Sequence, residues 1–185
     1  MNAKLVFIAL GSNLGDSRQI LLDALARLEN LSTVPLRKSS LWQTSPVDCP
    51  PDSPAFLNAV AALMPTVGET PESLLEKLQA LETEFGRRTK KVLNEPRPLD
   101  LDLIMFGAEV RSAARLTLPH PRAHERRFVL QPLCEIAPDL VLPGQTRTVA
   151  RLLAGSKGRE ICRRLSATAE NPPQRDLIPP AKSGE

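Results

Sequence analysis

Leu99-Asp100-Leu101-Asp102-Leu103-Ile104-Met105-Phe106 is the stretch on which the fold turns. Side chains of a strand alternate between its two faces. Asp100 and Asp102 therefore share one face while Leu101 and Leu103 point to the other, and Gly107-Ala108 turns the chain into a short following strand. Upstream, Thr70-Pro71-Glu72 opens a helix with a capping hydroxyl, a first-turn proline and an early acid. Leu74, Leu75, Leu78, Leu81 and Phe85 continue its buried stripe up to Gly86. Residues 56–64 read as a strand and 33–44 as a β-rich stretch. Between them Pro46, Pro50, Pro51 and Pro54 make a loop long enough to serve as a mobile lid. The apolar run Leu5 to Leu10, closed by Gly11-Ser12-Asn13-Leu14-Gly15, predicts a buried strand and a tight loop. Asp16 then caps a helix whose apolar face is Ile20, Leu21, Ala24, Leu25 and Leu28. Two shorter helices are expected near 125–135 and 149–153, and a disordered, proline-rich tail over 166–185. The order strand, helix, strand, strand, helix, strand predicts one α+β domain over residues 1–165. Its expected form is a ferredoxin-like sandwich, a mainly antiparallel sheet with helices on one face and short C-terminal elements added.

Composition agrees with a folded, water-exposed chain. Of 185 residues, 42% are hydrophobic and 24% charged, which supports a sizeable core and excludes wholesale disorder. No apolar run approaches the roughly 18 to 20 residues that span a bilayer, and the opening Met1-Asn2-Ala3-Lys4 leads into a run too short for a signal peptide. Cys49, Cys134 and Cys162 are far apart and form no Cys-x-x-Cys pair, so neither a disulfide framework nor a zinc site is indicated. A reducing, cytoplasmic setting is expected, without a membrane partner.

The net charge of +3 is unevenly spread: residues 87–127 hold ten basic and five acidic side chains. Such a window either solvates an exposed face or binds an anion. Nucleic acid is disfavoured, because aromatics are only 3%, Tyr is absent and no aromatic-plus-basic motif appears. Within the window, Asp100 and Asp102 lie about 7 Å apart along a strand and can each offer oxygen to a pair of Mg²⁺ ions. Taken alone, the alternation equally marks a half-exposed strand. The cations around it, Arg87, Arg88, Lys90, Lys91 and Arg97 before and Arg115, His120, Arg126 and Arg127 after, favour a nucleoside triphosphate with its metal. P-loop and dinucleotide-binding glycine signatures are absent from the sequence. Asn58, in the apolar run Phe56-Leu57-Asn58-Ala59, can read the edge of a heterocycle or make a structural hydrogen bond. Gln79 and Glu82 face either a ligand or solvent.

Five ordered motifs resemble those of the 6-hydroxymethyl-7,8-dihydropterin pyrophosphokinase family of folate biosynthesis. They are Ala9-Leu10-Gly11-Ser12-Asn13-Leu14-Gly15-Asp16, Phe56-Leu57-Asn58-Ala59, Glu82 with Gly86-Arg87, Pro96-Arg97-Pro98-Leu99-Asp100-Leu101-Asp102, and Leu118-Pro119-His120-Pro121 leading to Arg126 and Phe128. The resemblance implies transfer of pyrophosphate from ATP to the pterin hydroxymethyl group with release of AMP, by a monomer. It implies two Mg²⁺ on Asp100 and Asp102, with Arg97 and Arg87 completing the catalytic set. It places the triphosphate on Arg97, His120 and Arg126, and the nucleotide on Leu75, Gln79, Glu82, Arg87, Leu103, Arg115 and Thr117, Glu82 accepting from the ribose hydroxyls. It places the pterin against Gly11, Thr44, Val47, Phe56, Asn58, Asp100 and Phe128. One departure stands before Pro96, where Leu93-Asn94-Glu95 replaces the family's basic residue and Trp-Gly. A lid contact is lost there, and Glu95 brings negative charge towards the triphosphate unless Lys90 or Lys91 pairs with it. Trp42, the only tryptophan, is expected in the core. Two other readings stay open: a module that binds both ligands without turnover, and a nucleic-acid binder using the basic window.

Overall fold

The computed structural model describes residues 4–46, 53–87, 95–156 and 161–165. Eight strands and four helices follow one another among these residues: β1 (Val6–Ser12), α1 (Ser17–Glu29), β2 (Arg37–Lys38), β3 (Trp42–Thr44), β4 (Phe56–Leu63), α2 (Pro71–Glu84), β5 (Asp100–Phe106), β6 (Arg111–Ser112), β7 (Thr117–Leu118), α3 (Arg127–Ile136), α4 (Val149–Gly155) and β8 (Cys162–Arg164). The main sheet runs β5-β1-β4-β3-β8, with β2 also on β4, and each of these pairings is antiparallel. Core strand β1 is buried along its length, as its unbroken apolar run requires.

Both long helices begin where their caps place them. The Asp16 side chain accepts from Gln19 N–H at the head of α1. Thr70 and Ser73 exchange side-chain and backbone bonds at the head of α2, with Pro71 in its first turn. Leu21, Ala24, Leu25 and Leu28 of α1 and Leu74, Leu78 and Leu81 of α2 bury against Ile8, Leu10, Leu57 and Leu101.

The opposite face of the sheet is covered too, which corrects the expectation of helices on one face. Phe7, Ala9, Val60, Ala62 and Ile104 pack there against Val129, Leu130 and Leu133 of α3 and Val149 and Leu152 of α4. The physical reason lies in β1 and β4, whose side chains are apolar on both faces and so need a layer on each side. The short strand expected after Gly107-Ala108 is present as β6 and pairs with β7 in a separate two-stranded sheet. Strand β8, unforeseen in the sequence, lies against β3 with Thr44 opposite Cys162.

Trp42 is also corrected. It is only half-buried, and its indole N–H donates to Glu135 Oε2 at 3.0 Å. Glu135 of α3 additionally accepts from the Ser40 backbone and hydroxyl and pairs with Arg164 of β8, tying helix to sheet edge. The proposed lid prolines 50 and 51, Val47, Lys90, Lys91, the Leu93-Asn94 departure and the tail over 166–185 lie outside the described residues.

Candidate active site

Register gathers the site. Gly11 of β1 stands opposite Asp100 of β5 on one side and Asn58 of β4 on the other, and Asn58 in turn faces Trp42 of β3. Two residues along, Asp102 faces Ala9 and Ala9 faces Val60. The two-residue period thus puts both aspartates, Gly11 and Asn58 on the face that carries α3. Beyond the start of that helix opens a cavity of about 390 Å³. Its lining includes Thr44, Phe56, Leu75, Gln79, Glu82, Arg87, Arg97, His120, Arg126 and Phe128 besides the two aspartates, Gly11 and Asn58.

One wall is charged. Asp100 Oδ1 lies 3.0 Å from Arg97 Nη1 and 3.2 Å from Arg87 Nη1, while Asp102 Oδ2 lies 3.6 Å from Arg126 Nη1. Burial, then the charge of Asp100, pushes the Asp102 carboxyl above the usual aspartate range, and the neighbouring cations offset this only in part. Among the described residues, Arg97 Nε is buried without a hydrogen-bond partner, a donor available to an anionic oxygen. Burial likewise lowers the His120 imidazole below its ordinary value, against the pull of Asp102.

The backbone of Arg97 is itself fixed from β1's end. Arg97 N–H donates to Asn13 Oδ1 at 2.9 Å, and Asn13 N–H returns a bond to the Arg97 carbonyl at 3.2 Å. Asn13 is wholly buried, so the loop motif has a defined structural task.

The other wall is neutral and flat. Asn58 Nδ2 donates to Thr44 Oγ1 at 2.7 Å in a buried bond, and Phe56 and Phe128 supply aromatic surface. The Arg126 guanidinium also lies 5.4 Å from the Phe128 ring centre, which links the two walls. Gly11 matters here for space. A β-carbon there would come within 3.2 Å of Asn58 Oδ1 and 4.0 Å of the Asp100 β-carbon.

Glu82 has a role that the sequence did not disclose. Almost fully buried, it accepts from Leu101 N–H at 2.8 Å and pairs with Arg87. It therefore fastens α2 to the strand between the two aspartates, and burial holds its carboxyl above the usual glutamate range.

Three expected nucleotide residues are placed elsewhere. Leu103 is buried in the core against α1 and α2, because the period that turns Asp102 to the cavity turns its neighbour away. Thr117, paired with Ser112 in the small sheet, and Arg115 in the turn before it are exposed and do not line the cavity. Conversely Arg122 and Glu125 line it without having been anticipated. Arg122 directly follows the His120-Pro121 motif, which was the one available signal for it. No group of three or more His, Cys, Asp or Glu side chains is gathered around a metal-sized point among the described residues, and no described helix is long and apolar enough to cross a membrane.

Comparison with known proteins supplies the remaining finding. The family model of 7,8-dihydro-6-hydroxymethylpterin-pyrophosphokinase (HPPK) matches residues 7–138. The chain is 43% identical over 152 residues to a 2-amino-4-hydroxy-6-hydroxymethyldihydropteridine pyrophosphokinase of Pseudomonas aeruginosa, covering 80% of this chain and 90% of that one. It is also 43% identical to the namesake of Haemophilus influenzae over 138 residues, 74% of this chain and 84% of the other. Similarity to the folic acid synthesis protein fol1 of Pneumocystis carinii, 41% over 138 residues, takes in 75% of this chain but only 18% of that longer protein. Among solved structures, wild-type HPPK-DHPS of Plasmodium falciparum with pteroate superposes with a TM-score of 0.64 at 12% identity, covering 83% of this chain and 42% of that one, a likeness of fold.

Proposed function

The chain belongs to the 7,8-dihydro-6-hydroxymethylpterin-pyrophosphokinase family and is a pyrophosphokinase; from that premise we propose that it moves the terminal pyrophosphate of ATP onto the hydroxymethyl group of 6-hydroxymethyl-7,8-dihydropterin, releasing AMP. The observation that carries the assignment to this site is the row Asp100, Gly11, Asn58, in which β-register sets a carboxylate beside a cation-lined wall at one end and an amide beside aromatic rings at the other. Substrates held on the two walls meet at Asp100.

Asn58, held by Thr44, reads the pterin edge, Phe56 and Phe128 line its ring, and Gly11 leaves room beneath it. Arg87, Arg97, His120 and Arg126 hold the polyphosphate, with Arg97 Nε, which has no partner among the described residues, as a ready donor. Leu75, Gln79 and Glu82 border the nucleotide. The donor set fits Mg²⁺, which binds through one or two carboxylates plus substrate phosphates rather than an all-protein cage. Burial and then the charge of Asp100 raise the Asp102 carboxyl, and a cation beside it would offset both. Asp100 and Asp102 would hold Mg²⁺, whose contribution would be to withdraw charge from the phosphate oxygens. The protein's own share is alignment of an in-line displacement and fixed positive charge around the phosphorus, needing no covalent help from a side chain.

The order β5-β1-β4-β3 with α1 and α2 on one face supports reading the core as ferredoxin-like, in one domain over residues 1–165. We place it in the cytoplasm as a monomer. The test is to incubate purified protein with ATP, Mg²⁺ and hydroxymethyldihydropterin and to quantify AMP and pterin pyrophosphate. Equal yields that vanish in an Asp100→Ala/Asp102→Ala variant are expected; wild-type protein that makes neither product overturns the assignment.

A further inference from the structure

We propose that the backbone N–H of Arg122 sets the tautomer of His120, so that the imidazole meets the polyphosphate through an Nε2–H donor; the choice of ligand rests on the function proposed above. Three bonds hold this residue. His120 N–H donates to the Ile104 carbonyl at 2.8 Å, its own carbonyl accepts from Ala123 N–H at 3.1 Å, and its Nδ1 accepts from Arg122 N–H at 3.2 Å. The first fastens the residue to β5, the second closes a tight turn, and the third fixes the ring.

A ring nitrogen that accepts an N–H bond presents its lone pair and carries no proton. The remaining proton of the neutral imidazole then sits on Nε2, the nitrogen left for the cavity that His120 lines. Protonating Nδ1 would set one N–H against another and open the turn. Around the ring lie the cations Arg122 and Arg126 and the carboxylate Asp102. Positive charge is thus already supplied by arginines, and what His120 adds is direction: one donor whose aim is set by backbone.

A purely structural role, in which the ring only caps the turn, makes a different prediction. Asparagine can cap the same Arg122 N–H as an Asx turn but has no distal donor. The full chain, labelled with nitrogen-15 histidine, is examined by long-range proton–nitrogen correlation near neutral pH, with His124→Gln to assign the two histidines. The expected spectrum shows His120 with a bare Nδ1 and a protonated Nε2. His120→Asn is expected to melt with wild-type protein and to raise KM for ATP about 10-fold or more while KM for the pterin stays unchanged. A proton on Nδ1, or an Asn variant with wild-type KM for ATP, overturns the proposal. Wild-type protein that makes no AMP overturns the functional reading separately, and the nitrogen spectrum still decides the tautomer.

Discussion

Replacing Glu82 by alanine removes the side-chain acceptor of a buried backbone donor at the centre of β5. Leu101 N–H loses its 2.8 Å bond, Arg87 loses a partner, and a side chain only 4% exposed leaves its space empty. An unsatisfied buried N–H costs about 1–3 kcal/mol. Loss of the one buried methylene, Cγ, adds about 0.8 kcal/mol. Relief of a carboxylate that burial disfavours returns part of this. The balance is a loss of about 2 kcal/mol, which for a chain of this length lowers Tm by roughly 4–8 °C. Glutamine retains the acceptor, so Glu82→Gln stays within about 1 kcal/mol of wild type. Thermal and urea unfolding near neutral pH measure both variants. If Glu82→Ala unfolds with wild-type protein and only its KM for ATP rises, the tether is refuted and the side chain serves the ribose alone.

Three other outcomes are expected. Asp102→Asn lowers turnover by about 100- to 1000-fold, yet leaves the urea midpoint equal or higher, because it removes a charge penalised by burial and by Asp100. Gly11→Ala forces a methyl group to within 3.2 Å of Asn58 Oδ1; steady-state kinetics should show KM for the pterin up about 10-fold, the value of one hydrogen bond, with KM for ATP unchanged. Burial opposes ionisation of Glu135, but bonds from Ser40 and Trp42 and the charge of Arg164 hold its carboxyl below the usual glutamate range. Its stabilisation is therefore complete above that range and lost as pH falls through the lowered value. Denaturation followed by Trp42 fluorescence should show this acid-side decline flattened in Glu135→Gln.

What the sequence disclosed was periodic. The stripe Leu21, Ala24, Leu25, Leu28 and the Asp-Leu alternation of β5 each bury the face that their spacing selects, and the charged end of the site follows from the latter. What it concealed depends on pairing. β8 is three residues, two of them Arg, with no alternating pattern, and it exists because β3 offers an edge. Trp42 looked like core, but an indole N–H needs an acceptor, and Glu135 reaches it from a helix 93 residues away. That the Leu103 side chain lies in the core follows from period two alone. Arg122 and Glu125 enter the cavity through a turn whose shape no spacing rule supplies.

The β3–β8 pairing also bears on how the molecule is made. Ser45 bonds Ile161, 116 residues later. At about 5–20 residues per second, synthesis takes roughly 6–23 s to cover that interval. Throughout it the outer edge of β3 has no strand beside it, and such an edge is a template for pairing with another chain. The nascent protein is therefore most open to self-association just before β8 appears, and chaperone binding should fall away once that strand is clear of the ribosome.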